Sequence, residues 1–334
     1  MDAKTAGPAS PTISVEMIHA ARELVSPLTK RTPCERSETL SNLLETNVFV
    51  KYELFQRAGS FKVRGAFNKL LNLSAEERKR GVVAVSGGNH AQAVAYCSAR
   101  LGIDAVIVMP QNTPKLYLDA TAGYGAEIKK VPSIADAFAM MEEYHTIGRV
   151  VIHPFDDPLV IAGQGTVGLE ICEDVPGVSD VFVSIGGGGL AAGIAIALRE
   201  RYPAVRVWGV ETEGANAMAL ALEAGHPVTL PTITSIAKTL GAPFVSDLTL
   251  GLARELLESV TVVTDAETVR AMVLIMERLK VITEPAASCT LAAALRNKGR
   301  FGPDQNVVLV LCGGNTGAED LCRYLAEFGQ VSDI

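Results

Sequence analysis

The chain has no paired-cysteine motif. Its six cysteines (34, 97, 172, 289, 312 and 322) are scattered, and none forms a Cys-x-x-Cys pair or a zinc spacing with a histidine. That excludes a disulfide framework and a zinc knuckle, and it fits a reducing, cytoplasmic setting. Basic blocks are lacking too. Thirty Lys and Arg stand against 37 Asp and Glu, a net charge of −7, so nucleic acid is not expected as a partner. A membrane is not expected either, because the most apolar window, 181–198, is cut by a run of four glycines. Residues 1–11 hold no apolar stretch and read as a frayed tail rather than a signal peptide. Tandem repeats and low-complexity segments are absent.

What is present is a globular composition, 48% apolar and 20% charged over 334 residues, long enough for a large core in two lobes. Short apolar strands alternate with helical patterns. Strands are expected at 82–85, 105–109, 127–131, 150–152, 181–185, 205–210, 260–263 and 307–311. Helices are expected at 91–101, 114–124, 135–146, 190–201, 215–224, 266–280, 287–295 and 318–328. Fully apolar strands in βα alternation predict an α/β fold with parallel sheets covered on both faces. Ligands bind such sheets at the carboxyl ends of the strands. The loop 226–247, rich in Thr, Pro and Ser, is long enough to be a covering segment.

Three glycine-containing motifs follow strands. In Ser86-Gly87-Gly88-Asn89-His90, amides, a hydroxyl and an amide side chain can hold a carboxylate; equally, Ser86 or Asn89 can simply cap the next helix. Gly186, Gly187, Gly188 and Gly189 open a helix and read as a phosphate loop. They also fit the relaxed dinucleotide pattern, with Glu211 at the distance of a ribose-binding acid, so a nicotinamide oxidoreductase stays open. Cys312 before Gly313-Gly314 is either a buried structural thiol or a weak donor to a ring nitrogen. Glu284 before Pro285 suits a helix cap. His153 either lines the cleft or ends a strand. A fourth motif, Gly59-Ser60-Phe61-Lys62-Val63-Arg64-Gly65-Ala66, offers Lys62 as an amine. Read at strand spacing, Arg64 shares a face with Lys62 and would lower its pKa.

With these segments in this order, together with His153-Pro154-Phe155-Asp156-Asp157 and Gly163-Gln164-Gly165-Thr166, the chain resembles the fold-type II pyridoxal-phosphate enzymes. Within them it resembles the serine/threonine dehydratase family. The resemblance implies a fold like that of the tryptophan synthase β chain. The large lobe would comprise 1–77 plus 156–334 and the small lobe 78–155, and the protein would form a homodimer. It implies pyridoxal phosphate on Lys62, Phe61 packed near its ring, and Asn89 at the ring hydroxyl. The phosphate would lie on Gly186 to Leu190, with Cys312 at the ring nitrogen and Glu284 also among the cofactor residues. Ser86, Gly87, Asn89 and His90 would surround the substrate carboxylate. The implied reaction is dehydration and deamination of a β-hydroxy-L-amino acid such as threonine, serine, 3-hydroxyaspartate or phenylserine. An amino-acid (serine) racemase and a non-catalytic binding regulator on the same fold are further alternatives.

Three features limit the resemblance. Racemases of the family carry a serine where this chain has Gly87, so racemisation should be poor. The family's cation site resembles Glu211 to Ala217, but Ala217 replaces an oxygen ligand; Glu211 and the Ala215 carbonyl would hold at most a monovalent ion. The chain ends soon after its last helix, so inhibition by isoleucine through a regulatory domain is not expected.

Overall fold

The computed structural model describes residues 13–328, and the tail expected at 1–11 lies outside them. Ten strands form two sheets. In chain order they are β1 (Cys34–Arg36), β2 (Asn47–Lys51), β3 (Val82–Val85), β4 (Ala105–Pro110), β5 (Glu127–Val131), β6 (Val150–Val151), β7 (Val178–Ser184), β8 (Arg206–Thr212), β9 (Ser259–Val263) and β10 (Asn306–Val310). The larger sheet has the order β1-β2-β10-β7-β8-β9, and the smaller β5-β4-β3-β6. Every pairing is parallel except β1 on β2. The expected α/β architecture is therefore present. All four strands of the smaller sheet fall between β2 and β7 in the chain, yet β2 and β7 both flank β10. The segment carrying that sheet is an insertion into the larger one.

Among the described residues fourteen α-helices surround the sheets: α1 (Val15–Val25), α2 (Glu38–Leu44), α3 (Lys62–Leu71), α4 (Ala75–Arg80), α5 (Asn89–Leu101), α6 (Lys115–Gly123), α7 (Ile134–Thr146), α8 (Pro158–Asp174), α9 (Gly189–Arg201), α10 (Ala217–Ala224), α11 (Asp247–Leu256), α12 (Asp265–Leu279), α13 (Pro285–Arg296) and α14 (Ala318–Phe328). β3 is buried along its whole length and β7 along nearly all of it, which accounts for their continuous apolar sequence. Val63, Ala66, Phe67 and Leu70 of α3 pack in one core with Val82, Ala84 and Ile107 of the smaller sheet. The helix that begins at Lys62 is thus seated against that sheet.

Helix α8 was not legible in the sequence, because Gly163, Gly165 and Gly168 look like loop residues. They are contact points. A Cβ on Gly163 would lie 2.6 Å from the Arg64 carbonyl oxygen, and one on Gly165 would lie 2.9 Å from the Gly193 carbonyl oxygen. Glycine weakens a helix by roughly 1 kcal/mol relative to alanine. Here the loss is offset by backbone-to-backbone approach of α3 and α9 to opposite sides of α8. Asp157 starts the helix by accepting from the amides of Leu159 and Val160, with Pro158 next.

Helices α5, α10 and α13 differ by two residues from their expected starts. Among the described residues no helix is long and apolar enough to cross a membrane.

Candidate active site

The carboxyl ends of β3, β7 and β10 open on one cavity of about 390 Å³, within the range of small-molecule sites. The loop 226–247 does cover it: Ile233 and residues 238–244 form part of the wall. Lys62 lies in the cavity because its turn is pinned from both sides. Ser60 pairs with Gly313, the Phe61 amide donates to the Cys312 carbonyl, and the Gly314 amide donates to the Gly59 carbonyl. A left-handed turn at Ala58 and Gly59 sets this up. A Cβ at Gly59 would collide with Asn315, so glycine is required there.

Lys62 Nζ donates to the Pro154 carbonyl at 2.7 Å and sits 5.2 Å from the centroid of the Phe61 ring. Burial lowers its pKa to about 8, which raises the neutral, nucleophilic fraction. Arg64 has no part in this, contrary to the expectation from strand spacing. The segment is helical, so residues two apart point away from each other. Arg64 instead turns into the core, where it pairs with Glu53 at 2.8 Å and Glu170 at 2.7 Å. Lys51 completes that buried network on Glu170 at 2.6 Å.

The glycine loop joins β7 to α9. No protein acceptor takes the amides of residues 186–190 among the described residues, and they gather at a helix N-terminus. Such a cradle suits a phosphate. Phe155 packs directly on it, since a Cβ at Gly187 would fall 2.0 Å from the ring. Across the cavity, burial pushes the Cys312 thiol up to about 12, with Glu284 adding to the effect, so it is a protonated donor. The Ser184 hydroxyl lies 3.5 Å from its sulfur. A single serine at a strand end gives no sequence signal, and only the fold places Ser184 beside the thiol.

Contrary to the expected helix cap, the Glu284 side chain does not cap α13. Its carboxylate lies buried behind Asn89 and Thr239, which line the cavity. It accepts from Asn89 Nδ2 at 2.7 Å, from the Thr239 hydroxyl, and from the Asn315 amide at 3.2 Å. Asn315 Nδ2 in turn donates to Asn89 Oδ1 at 2.7 Å. Four loops distant in sequence are tied together there. Asn315 enters as the last residue of the Cys312-Gly313-Gly314-Asn315 motif, whereas Thr239 is a further member that sequence patterns did not single out.

In the Ser86 to His90 loop the capping alternative also fails. The N-cap of α5 is Gly88, with no side-chain cap. Ser86 Oγ accepts from the Gly88 amide at 3.0 Å, and its own hydrogen is left to donate. His90 Nε2 lies 2.7 Å from the Ile152 carbonyl. A carbonyl only accepts, so the ring proton is on Nε2. Burial, reinforced by Lys62, lowers the His90 pKa to about 3, which leaves Nδ1 a bare, buried acceptor without a partner.

The amine, the unclaimed amides and the neutral thiol fit pyridoxal phosphate. A family model described as "Pyridoxal-phosphate dependent enzyme" matches residues 25–313. The chain belongs to that family. A catabolic L-threonine dehydratase of Escherichia coli is similar at 40% identity over 306 residues, covering 91% of this chain and 93% of its own. Among solved structures, maize serine racemase superposes with a TM-score of 0.88 at 36% identity, covering 94% of this chain and 97% of its own. Threonine deaminase isoform 2 from Solanum lycopersicum gives 0.89 at 31%, covering 98% and 99%.

Two residues of this pyridoxal-phosphate family member stand apart from the cavity. Glu211 is fully buried and accepts from the Met218 and Ala219 amides at 2.9 and 2.8 Å. Tied to the start of α10, it cannot serve as a ribose-binding acid, which removes the support for a dinucleotide. His153 lies two residues beyond β6, and its Nδ1 accepts from the Asp156 amide at 2.8 Å, so it neither lines the cavity nor ends the strand.

Proposed function

We propose that the chain removes the β-hydroxyl and the amino group from a β-hydroxy-L-amino acid such as threonine or serine, giving a 2-oxo acid and ammonia. The observation that carries this is the half-buried Lys62 amine, held at low pKa in one cavity with the free amides of the glycine loop and the neutral Cys312 thiol. When bound, pyridoxal phosphate joins its aldehyde to an amine and draws electrons away from the α-carbon. Lys62 would hold the aldehyde, and its freed amine would take the α-proton. Residues 186–190 would hold the phosphate, Phe61 would flank the ring, and Asn89, kept in place by Glu284 and Asn315, would face the ring hydroxyl. Cys312 would donate to the ring nitrogen without protonating it, which favours elimination over transamination. Ser86 and the backbone amides of Gly87, Asn89 and His90 would receive the substrate carboxylate. The His90 ring has no proton to offer it.

The lobes we assign are 1–77 plus 156–334 and 78–155, in a homodimer within a reducing cytoplasm. All six cysteines are unpaired, which supports the last point. A monovalent ion would bind Glu211 and the Ala215 carbonyl. Racemisation is disfavoured because Gly87 brings no exchangeable side-chain proton to the cavity. The test is keto-acid release from a panel of hydroxy-amino acids by the purified holoenzyme, with its visible band recorded before and after borohydride. No band, or no keto acid, would refute the reading. Light scattering at about twice the mass of one chain, 35.3 kDa, would support the dimer.

A further inference from the structure

The substrate-carboxylate loop is short of one donor, and the fold brings another to it. His90 spends its only ring proton on the Ile152 carbonyl. The loop after β4 lies beside the loop after β3, because those strands are neighbours in the smaller sheet. A turn there, closed by the Thr113 amide donating to the Pro110 carbonyl at 3.0 Å, directs Thr113 at Gly87. A Cβ on Gly87 would lie 2.8 Å from Thr113 Oγ1. The missing side chain at Gly87 therefore makes room for this hydroxyl. Thr113 is only 8% exposed, it lines the cavity with Lys62, Ser86 and Gly87, and its hydroxyl has no protein partner among the described residues. The hydroxyl therefore faces the cavity with its hydrogen free for a ligand.

We propose that the Thr113 hydroxyl donates, alongside Ser86, to the carboxylate of the amino-acid substrate. The proposal rests on the reading of the site as an amino-acid lyase. An anion is the fitting partner for three reasons. The neighbouring groups are donors: the Ser86 hydroxyl and the amides at the start of α5. The His90 ring, which lines the same cavity, is neutral. And no carboxylate accepts from Thr113.

The test uses holoenzyme and two ligands that lack the leaving hydroxyl, L-2-aminobutyrate and 1-aminopropane, which differ only in the carboxylate. Binding is read from the change in the visible band. Thr113→Val keeps the shape and removes the hydroxyl. It should weaken L-2-aminobutyrate about ten- to hundredfold, the range for a hydrogen bond to a charged group, and leave 1-aminopropane within about twofold. Thr113→Ser should restore binding. Gly87→Ala, which pushes the hydroxyl aside, should resemble the valine variant. An equal effect on both ligands, no effect on either, or a serine variant as poor as valine would overturn the assignment. So would D-serine formed by the wild type and lost in Thr113→Val with ligand binding unchanged, since the hydroxyl would then serve the α-carbon. A wild type without a visible band would sink the lyase reading itself, whereas the variant results sink only Thr113.

Discussion

The buried Lys62 amine is partly neutral near pH 8, and the role proposed for it then has a kinetic consequence. The apoprotein should capture pyridoxal phosphate faster as pH rises from 7 to about 9, because only the free amine attacks the aldehyde. Stopped-flow absorbance would show it, and a flat profile would contradict the lowered pKa. Lys62→Ala should lose the visible band that borohydride bleaches and several orders of magnitude in turnover. Cys312→Ser should keep much of the activity, since a hydroxyl also gives one hydrogen bond to a neutral nitrogen. Cys312→Asp should slow elimination and raise transamination, measured as keto acid against aminated cofactor. Glu211 poses a different problem. Burial raises its carboxyl to about 8 from 4.5, so the folded state holds its proton more tightly than the unfolded chain does. Stability from this group is fully present below 4.5 and is lost as pH rises through 8. A monovalent ion at Glu211 would bind the ionised form. Potassium chloride should then raise the unfolding temperature more at pH 9 than at pH 6, against tetramethylammonium chloride as control; equal shifts would count against the ion.

Among the elements, α8 carries the most demanding geometry. Its glycines bring α3 close enough that the backbone at Arg64 touches the backbone at Gly163, while Arg64 bonds to Glu170, about two turns further along the same face of α8. Helix α3 begins with Lys62, so a displaced α3 displaces the amine. Gly163→Ala is expected to cost about 2 kcal/mol or more, by backbone overpacking, and to weaken cofactor binding with it. Chemical denaturation of the apoprotein and a cofactor titration would measure the two effects. Full retention of both would mean α3 can shift without consequence. The helix was missed in sequence because glycine's two uses, turn and close contact, look alike in one dimension. The strands were legible for the opposite reason, since burial on both faces leaves only apolar residues.

On the scale of the whole molecule, the cavity lies where loops from the inserted smaller sheet meet loops from the larger one. Asn89 comes from the first, and Glu284 and Asn315 from the second. Asn89→Ala would leave the buried Glu284 carboxylate and the Asn315 amide short of partners. It should lower cofactor affinity and the unfolding temperature of the holoenzyme more than that of the apoprotein, because bound cofactor stabilises only the folded state. Calorimetry of both forms would test this, and equal shifts would make the bond merely structural.

The amino-acid sequence alone determined the α/β alternation, the strand-end placement of three motifs and the candidate amine, because periodicity and glycine-rich turns are local properties. It could not determine which way Arg64 faces, that Glu284 turns from its helix to Asn89, or where the His90 ring proton lies. Nor could it show that Ser184 approaches Cys312 or that Thr113 fills the space at Gly87. Each of these depends on groups between 11 and 195 residues apart coming within bonding distance, and only the packing of sheets and helices sets such distances.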